Sequence, residues 1–349
     1  MPVVTALRGS QISSNKRILV AGPAWVGDMV MAQSLFITLK QDDPDVEIDV
    51  LAPSWSLPLL ARMPEVNQAI ALPVGHGELK LAARYKIGRS LRDRHYDQAI
   101  ITPRSYKSAL IPFFARVPVR TGYRGEMRYG VVNDIRILDK SVLTQTVQRY
   151  VALGKSHSVV QPPQIHLPHL NIDHENQKAL LLKFKLSHER PIICIMPGAE
   201  YGPAKQWPVS KYAELASKLA EQNYQVWVIG SKKEQAVGDE ICRGQMNSHI
   251  INLCGKTELT DAIDLLALAD FSVTNDSGLM HVACATGRSV IAIYGSSDPK
   301  YTPPLSNRAK IIYHGLECSP CFKRTCPKGH TACLNNIRVD EVIECITHP

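Results

Sequence analysis

Residues 17–35 read RILVAGPAWVGDMVMAQSL, and this stretch sets the expected fold. The apolar run ILVAG predicts a buried strand, the glycine and proline after it predict a tight loop, and the remainder predicts a helix. Strand–loop–helix units of this kind often cradle phosphate, but this one lacks both the dinucleotide fingerprint and the P-loop lysine. It carries Asp28 in the first helical turn instead. Asp28 either faces a cleft as a carboxylate or merely complements the helix dipole.

The same alternation of short Val- and Ile-rich runs with amphipathic segments continues on both sides of a polar passage at 156–176. The predicted strands are 16–22, 46–52, 66–72, 96–102, 191–198, 224–231, 249–255, 271–277 and 289–296. The predicted helices are 28–41, 56–62, 78–93, 209–222, 232–245, 259–269 and 278–286. Apolar strands separated by helices predict parallel sheets covered on both faces. We therefore expect an α/β protein of two Rossmann-like, doubly wound domains that face each other across a cleft.

Length and composition describe an ordinary globular protein. The 349 residues suffice for two cores, 45% are hydrophobic and 21% are charged. No apolar run is long enough to span a bilayer, and the first fifteen residues lack the features of a secretory signal. The predicted divisions are an N-terminal extension (1–15), a first domain (16–165), a linker (166–188), a second domain (189–335) and a C-terminal helix (336–349).

The positive charge of the chain is concentrated in one segment. The whole chain has a formal net charge of +8, whereas residues 80–128 contain twelve Lys and Arg against three acids, a net charge of +9. A local positive field indicates an anionic partner: nucleic acid, an acidic membrane surface or a phosphorylated substrate. A solvated basic face is the ordinary alternative. The amphipathic stretch 78–94 either rests on a membrane surface or is a solvated helix face.

Two motifs in the second half suit the binding of a diphosphate. PGAEYGPAKQWP places Lys205 in a loop after a strand, where lysine is a reasonable phosphate ligand. In SVTNDSGLMHVACATG a strand ends beside Ser277, Gly278 begins a helix, and His281 lies in its first turn. The free N–H groups and the dipole of such a helix start attract anions. The ordinary alternatives are a surface lysine and a capped helix that contains a histidine.

The order and spacing of five motifs, from about Lys16 to the C-terminal helix, resemble the ADP-heptose:lipopolysaccharide heptosyltransferases of glycosyltransferase family 9. The motifs are GPAWVGDMVMAQSL, MPEVNQAI, RTGYRGEMRYG, PGAEYGPAKQWP and NDSGLMHVACATG. The resemblance implies a GT-B fold and inverting transfer of L-glycero-D-manno-heptose from ADP-heptose to the first inner-core heptose of lipopolysaccharide. It also implies a cytoplasmic enzyme at the inner membrane. The alternatives are a heptosyltransferase with another inner-core acceptor and a basic module that binds membrane or nucleic acid.

The resemblance also implies roles for particular residues. Asp28 is expected to be the general base, and Lys205 is expected to contact the donor phosphates as the second catalytic residue. The predicted donor site comprises Gly198, Glu200, Tyr201, Lys205, Glu234, Thr257, Asp276, Ser277, Gly278 and His281. Some relatives have two threonines where Glu200 and Tyr201 stand. The donor is ADP-heptose, and no further cofactor is expected.

The acceptor side is predicted from the basic segment. Residues at or after strand ends are expected to face the acceptor, and these are Gly27, Arg104, Lys107, Arg124 and Arg128. The expected acceptor is heptosylated Kdo-lipid A, whose phosphates and carboxylates would attract this charge. Peripheral contact with the anionic inner membrane is expected for the same reason. Nucleic acid is not expected, because aromatic stacking residues are sparse here.

Four cysteines and a histidine cluster near the C-terminus. They are Cys318, Cys321, Cys326, His330 and Cys333. These ligand types suit structural zinc, although the spacing is shorter than in most zinc knuckles. A packed or partly oxidised thiol cluster and another redox or cluster role are the alternatives. The predicted transfer chemistry requires no metal.

Overall fold

The computed structural model describes residues 15–75, 77–156, 159–243 and 249–348. In the first half, parallel strands form a six-stranded sheet of order β3-β2-β1-β4-β5-β6. The strands are β1 (Arg17–Ala21), β2 (Glu47–Pro53), β3 (Gln68–Leu72), β4 (Gln98–Ile101), β5 (Val119–Tyr123) and β6 (Asp134–Arg136). The helices are α1 (Val26–Asp42), α2 (Leu57–Leu60), α3 (Leu81–Ser90), α4 (Tyr106–Phe114), α5 (Thr146–Leu153) and α6 (His174–Phe184).

The second half repeats the plan with a parallel sheet of order β12-β11-β10-β7-β8-β9. Its strands are β7 (Ile192–Met196), β8 (Gln225–Val228), β9 (Ile250–Asn252), β10 (Phe271–Asn275), β11 (Ser289–Ile293) and β12 (Ala309–Ile312). Its helices are α7 (Val209–Glu221), α8 (Gln235–Cys242), α9 (Leu259–Leu266), α10 (Gly278–Ala285), α11 (Ala332–Asn335) and α12 (Val339–Thr347). The prediction of two doubly wound α/β domains is therefore confirmed.

Every predicted strand is present, because buried parallel strands are apolar along their whole length. β7, for example, is buried at all five positions. Three strands were not predicted: β5, which lies next to the edge of the first sheet, and the edge strands β6 and β12. All of them carry charged residues, so they do not read as continuous apolar runs. The helix α4 was also not predicted, since its sequence YKSALIPFF contains a proline.

In each sheet the chain first adds strands on one side of its first strand and then adds the remaining strands on the other side, so the strand order reverses at one point. The reversal falls between β1 and β4 in the first sheet and between β7 and β10 in the second. In open α/β sheets, ligands bind in the crevice beyond the carboxyl ends of the strands at such a point. Asp28 follows β1, whereas Lys205 follows β7 and Asp276 follows β10. The topology thus places the strongest sequence candidates at the two crevices.

The connection between the domains is itself structured. The segment predicted as the linker (166–188) contains α6, whose Asp173 caps the helix by accepting hydrogen bonds from the backbone of Glu175 and Asn176. α6 packs against α9 of the second half. The predicted N-terminal extension lies outside the described residues except for Asn15. None of the helices in the described ranges has both the length and the hydropathy to cross a bilayer.

Asp264 on α9 joins both halves of the protein and is fully buried. Its carboxylate accepts hydrogen bonds from Arg62 Nη2 at 2.7 Å, from Asn176 Nδ2 at 2.8 Å and from the backbone N–H of Asp173 at 2.9 Å. Arg62 belongs to the first half, and the other two donors belong to the connection. Because the buried Asp264 carboxylate bonds to donors from the first half and from the connection, it fixes the position of α9 relative to both.

We expect Asp264→Ala to lower the free energy of unfolding by about 3 kcal/mol, because it leaves the Arg62 guanidinium without its buried partner. Equilibrium urea denaturation measures the change. The matched control is Lys178→Ala, which breaks an exposed Lys178–Glu175 pair in α6 and should have little effect. Equal effects of the two substitutions would contradict this account of the junction.

Candidate active site

The beginning of α1 carries Asp28 to the junction of the two domains. After β1 the chain passes through a short loop, and α1 begins at Val26, with Trp25 as an N-cap that makes no side-chain hydrogen bond. The start of α1 faces the start of α10 in the second domain. Two helix N-termini with their positive dipole ends therefore converge here.

Glycines permit this close approach. A Cβ on Gly27 would lie 2.7 Å from Cδ2 of His281, and a Cβ on Gly278 would lie 3.0 Å from Cβ of Val26. A side chain at either position would force the helices apart. The structure thus gives Gly27, which was predicted for the acceptor site, a packing role against the donor-side helix.

Asp28 is partly buried at this junction. Burial is the largest influence and raises the pKa of its carboxyl group, because a desolvated carboxylate is disfavoured. A hydrogen bond from the Tyr150 hydroxyl and the charge of Lys205 lower the pKa, and the charge of Asp276 raises it. Groups from both domains therefore act on this carboxylate. A desolvated carboxylate with a raised pKa is a suitable general base.

Tyr150 is a residue that the sequence analysis missed. It lies on α5, which packs against α1, and burial raises the pKa of its own hydroxyl well above the usual value. The hydroxyl therefore stays protonated and can donate to Asp28. Its neighbour Arg149 donates a hydrogen bond to the Tyr301 hydroxyl of the second domain at 2.6 Å. α5 thus supports Asp28 and contacts the opposite domain at once.

We expect Tyr150→Phe to shift the acid limb of the pH–activity profile to higher pH. Asp28 must be ionised to act as a base, so activity falls as the pH drops through its pKa. Loss of the Tyr150 hydrogen bond removes an influence that lowers this pKa. Initial rates measured across pH test the shift. The control is Tyr123→Phe, since the Tyr123 hydroxyl bonds instead to the Arg149 carbonyl at 2.9 Å, and it should leave the acid limb in place.

Lys205 and Asp276 form a largely buried ion pair across the β7–β10 crevice. The side chain of Lys205 is 17% exposed and that of Asp276 is 5% exposed. The loop that carries Lys205 is held by Asn275, which accepts a hydrogen bond from the Trp207 backbone at 2.9 Å and donates to the Pro197 carbonyl at 2.7 Å. The ammonium group is thereby held in one place.

Tyr201 supports the same ammonium group from its ring face. Lys205 Nζ lies 5.1 Å from the ring centroid of Tyr201, and the Arg324 guanidinium lies 5.3 Å from it. The Tyr201 hydroxyl donates to the Phe322 carbonyl at 2.8 Å. Arg324 was not predicted from the sequence, because it lies in the cysteine-rich segment, more than a hundred residues away.

The start of α10 has the groups expected of an anion site. The Ser277 side chain caps the helix by accepting from the Met280 backbone, and the N–H groups ahead of it have no intrahelical partner. His281 is buried, and burial lowers its pKa to about 4, so the imidazole is neutral at neutral pH. Its Nδ1 has no hydrogen-bond partner within the described residues.

The other predicted donor residues lie along the same edge of the second sheet, farther from the crevice between β7 and β10. Glu234 packs against Gly198, because a Cβ on that glycine would lie 2.8 Å from the carboxyl carbon of Glu234. Glu200 is exposed and pairs with Lys233 at 2.6 Å. Thr257 follows the edge strand β9. These residues therefore border the crevice and do not join the Lys205–Asp276 pair.

The predicted acceptor cations differ sharply in exposure. Arg104 and Arg124 are exposed, and Lys107 is half-buried, all beyond the carboxyl ends of β4 and β5. Arg128 is only 2% exposed, and its guanidinium donates to the carbonyls of Pro103 and Tyr123. The structure thus gives Arg128 an internal structural role, which corrects its assignment to the acceptor. Its position after a strand did not reveal which way the side chain points.

The cysteine cluster holds free thiols. All nine cysteines are unbridged, and Cys318, Cys321, Cys326, Cys333 and His330 border one cavity of about 20 Å³. Within the described residues, no three or more His, Cys, Asp or Glu side chains are arranged to hold a metal ion. The zinc hypothesis is therefore not supported. The segment instead packs on the donor loop, since the Ala204 backbone donates to the Arg324 carbonyl at 3.0 Å.

The chain is similar to known proteins of one family over most of its length. The family model described as Glycosyltransferase family 9 (heptosyltransferase) matches residues 84–332. Lipopolysaccharide heptosyltransferase 2 of Salmonella typhimurium is 47% identical over 94% of this chain and 97% of its own. Lipooligosaccharide heptosyltransferase 2 of Haemophilus influenzae is 48% identical over 84% of this chain and 88% of its own. The solved structure of Escherichia coli ADP-heptose lps heptosyltransferase II matches with a TM-score of 0.85 and 43% identity, over 95% of this chain and 98% of its own.

Proposed function

The chain belongs to glycosyltransferase family 9, the heptosyltransferases, and from that premise we propose that it is a lipopolysaccharide heptosyltransferase of type II. It transfers L-glycero-D-manno-heptose from ADP-heptose to the first heptose of the lipopolysaccharide inner core. The finer features of this proposal are the inverting stereochemistry, the residue roles, the acceptor heptosylated Kdo-lipid A and a peripheral position on the cytoplasmic face of the inner membrane. The stereochemistry and the residue roles rest on the arguments that follow, and the acceptor and the membrane position rest on the resemblance to the family.

Asp28 is the proposed general base. A hydroxyl of the acceptor heptose attacks the anomeric carbon of the donor from the face opposite the ADP. As the new C–O bond forms, Asp28 takes the hydroxyl proton, by analogy with the base of inverting glycosidases. Its raised pKa supports this role, because a more basic carboxylate takes up the proton more readily.

The donor-side groups stabilise the departing ADP. The bond between the anomeric carbon and the phosphate oxygen breaks, and its electron pair leaves with the diphosphate. Lys205 and the N–H groups at the start of α10 face the charge that develops there. Neutral His281 is a further hydrogen-bonding group at the same place. Asp276 orients Lys205 through their ion pair.

One observation carries this proposal: the start of α1 and the start of α10 come from different domains and lie in contact. This contact brings a base from one domain within electrostatic range of a cation and a helix start from the other. A two-domain site of this kind excludes water when its cleft closes. A module that only binds membrane or nucleic acid would not need a desolvated carboxylate there.

A panel of acceptors tests the proposed substrate. Purified protein is incubated with ADP-heptose and with core acceptors that carry no heptose, one heptose or two heptoses on Kdo-lipid A. Mass spectrometry should show the gain of one heptose on the singly heptosylated acceptor alone. Transfer to a different acceptor would favour a related heptosyltransferase. A lack of transfer to all three, with ADP still bound, would contradict the proposed activity.

A further inference from the structure

A segment of the second domain, residues 318–333, lies directly against the loop that carries Lys205. The Ala204 backbone N–H donates a hydrogen bond to the Arg324 carbonyl at 3.0 Å. A Cβ on Gly202 would lie only 2.5 Å from the same carbonyl oxygen, so the two backbones are in close contact. The Arg324 backbone therefore has a fixed place beside this loop.

Phe322 anchors the segment independently of the Arg324 side chain. Its carbonyl accepts a hydrogen bond from the Tyr201 hydroxyl at 2.8 Å, and its N–H donates to the Ser296 carbonyl at 2.7 Å. Its ring packs edge-on against Tyr301, with 6.1 Å between the ring centroids. None of these contacts involves the guanidinium of Arg324, so a substitution of that side chain should leave the segment in place.

The Arg324 guanidinium lies over the aromatic ring of Tyr201. Its Cζ is 5.3 Å from the ring centroid, and Nζ of Lys205 is 5.1 Å from the same centroid. A guanidinium that interacts with the face of a ring keeps its N–H groups free at its edge for hydrogen bonds to an anion. The ring thus holds two cations near each other, and an anion bound to both would relieve their mutual repulsion.

Arg324 has no carboxylate partner among the described residues, in contrast to Lys205. Lys205 pairs with Asp276 and its side chain is 17% exposed, whereas Arg324 is exposed. Glu200, an acid of the same loop, pairs with Lys233 at 2.6 Å. The charge of Arg324 is therefore available to a ligand at the mouth of the crevice.

We propose that Arg324 binds the diphosphate of the nucleotide-sugar donor, beside Lys205. This inference rests on the proposed function, which supplies a donor with a diphosphate. Phosphate oxygens accept two parallel hydrogen bonds from a guanidinium, a geometry that a lysine does not provide. Lys205 is the more buried of the two cations, and its charge acts on Asp28. Lys205 therefore serves the reacting end of the diphosphate, and Arg324 serves its outer end.

Calorimetric titration tests this contact. Arg324→Gln should bind ADP about tenfold more weakly than the wild type, because a charge-assisted hydrogen bond is lost. Its affinity for adenosine, which has no phosphate, should not change. The matched control is Lys323→Gln, which removes an exposed positive charge from the neighbouring position and should bind ADP as the wild type does.

Three results of the titration would each overturn the proposal. The first is an unchanged affinity of Arg324→Gln for ADP. The second is an equal loss of affinity for adenosine, which would show that Arg324 only shapes the loop. The third is an equal loss in Lys323→Gln, which would show only a general effect of charge.

Steady-state kinetics separate binding from the chemical step. With ADP-heptose as the donor, Arg324→Gln should raise KM about tenfold and change kcat less than about threefold, since the outer contact is made before the bond breaks as well as in the transition state. A large loss of kcat at unchanged KM would contradict this role. If the wild type binds ADP but transfers no heptose, the proposed function fails, and the titration still decides whether Arg324 contacts the diphosphate. Failure of the wild type to bind ADP would overturn the inference as well.

Discussion

Asp28→Asn is expected to lower the rate of heptose transfer about 10³-fold, because the amide cannot take the proton from the attacking hydroxyl. The substitution preserves the size of the side chain, so the contacts at the start of α1 remain. Single-turnover transfer with saturating ADP-heptose measures the chemical step without interference from product release.

The temperature of unfolding is the control for this variant, since it reports whether Asp28→Asn still folds. Burial raises the pKa of Asp28, which means that its ionised form is unfavourable in the native protein at neutral pH. The asparagine variant should therefore unfold at the same temperature as the wild type or at a higher one. A variant that retains more than a tenth of the wild-type rate would contradict the role of Asp28 as the base.

Lys205→Met is the second substitution with a large expected effect, about a 10²-fold loss of transfer rate. The ammonium group is held by Asp276 and Tyr201. In the proposed mechanism it faces the charge that develops on the departing diphosphate. ADP should also bind about tenfold more weakly, since a charge-assisted contact is lost. Initial rates and isothermal titration with ADP measure the two effects separately.

The ion pair complicates this variant, because Lys205→Met leaves Asp276 buried without its partner. The double variant Lys205→Met/Asp276→Asn removes the lone charge and should recover thermal stability but not transfer. Lys218→Met, on an exposed lysine that pairs with Asp340 at 2.9 Å, controls for the loss of one positive charge from the domain. Recovery of transfer in the double variant would show that Lys205 acts only through folding.

Most of the fold was predictable because the strands and helices of parallel α/β sheets are encoded by local sequence patterns. Apolar runs such as ILVAG and PIICIM predict buried strands, and the polar residues directly after them predict positions at the ligand-binding edge. Asp28, Lys205 and Asp276 were found in this way, and the structure brings them within electrostatic range of one another. Their chemical roles remain predictions.

Side-chain direction and long-range contacts were not predictable from those patterns. Arg128 follows a strand end as Arg124 does, but one is buried among carbonyls and the other is exposed. Tyr150 contacts Asp28 from a helix that follows no predicted strand, so no local signal marked it. The cysteines suggested a metal site by their spacing, whereas the folded segment lies against the donor loop.

The most direct test of the two-domain site is a titration of ADP into the wild type, Asp28→Asn and Lys205→Met, read beside their transfer rates. If base and anion site belong to different domains and perform different tasks, Asp28→Asn loses transfer but binds ADP as tightly as the wild type or more tightly. Tighter binding of ADP would follow from the loss of a negative charge near the diphosphate. Lys205→Met should lose both transfer and the tight binding of ADP. Weaker binding of ADP by Asp28→Asn, in step with its loss of transfer, would contradict the account.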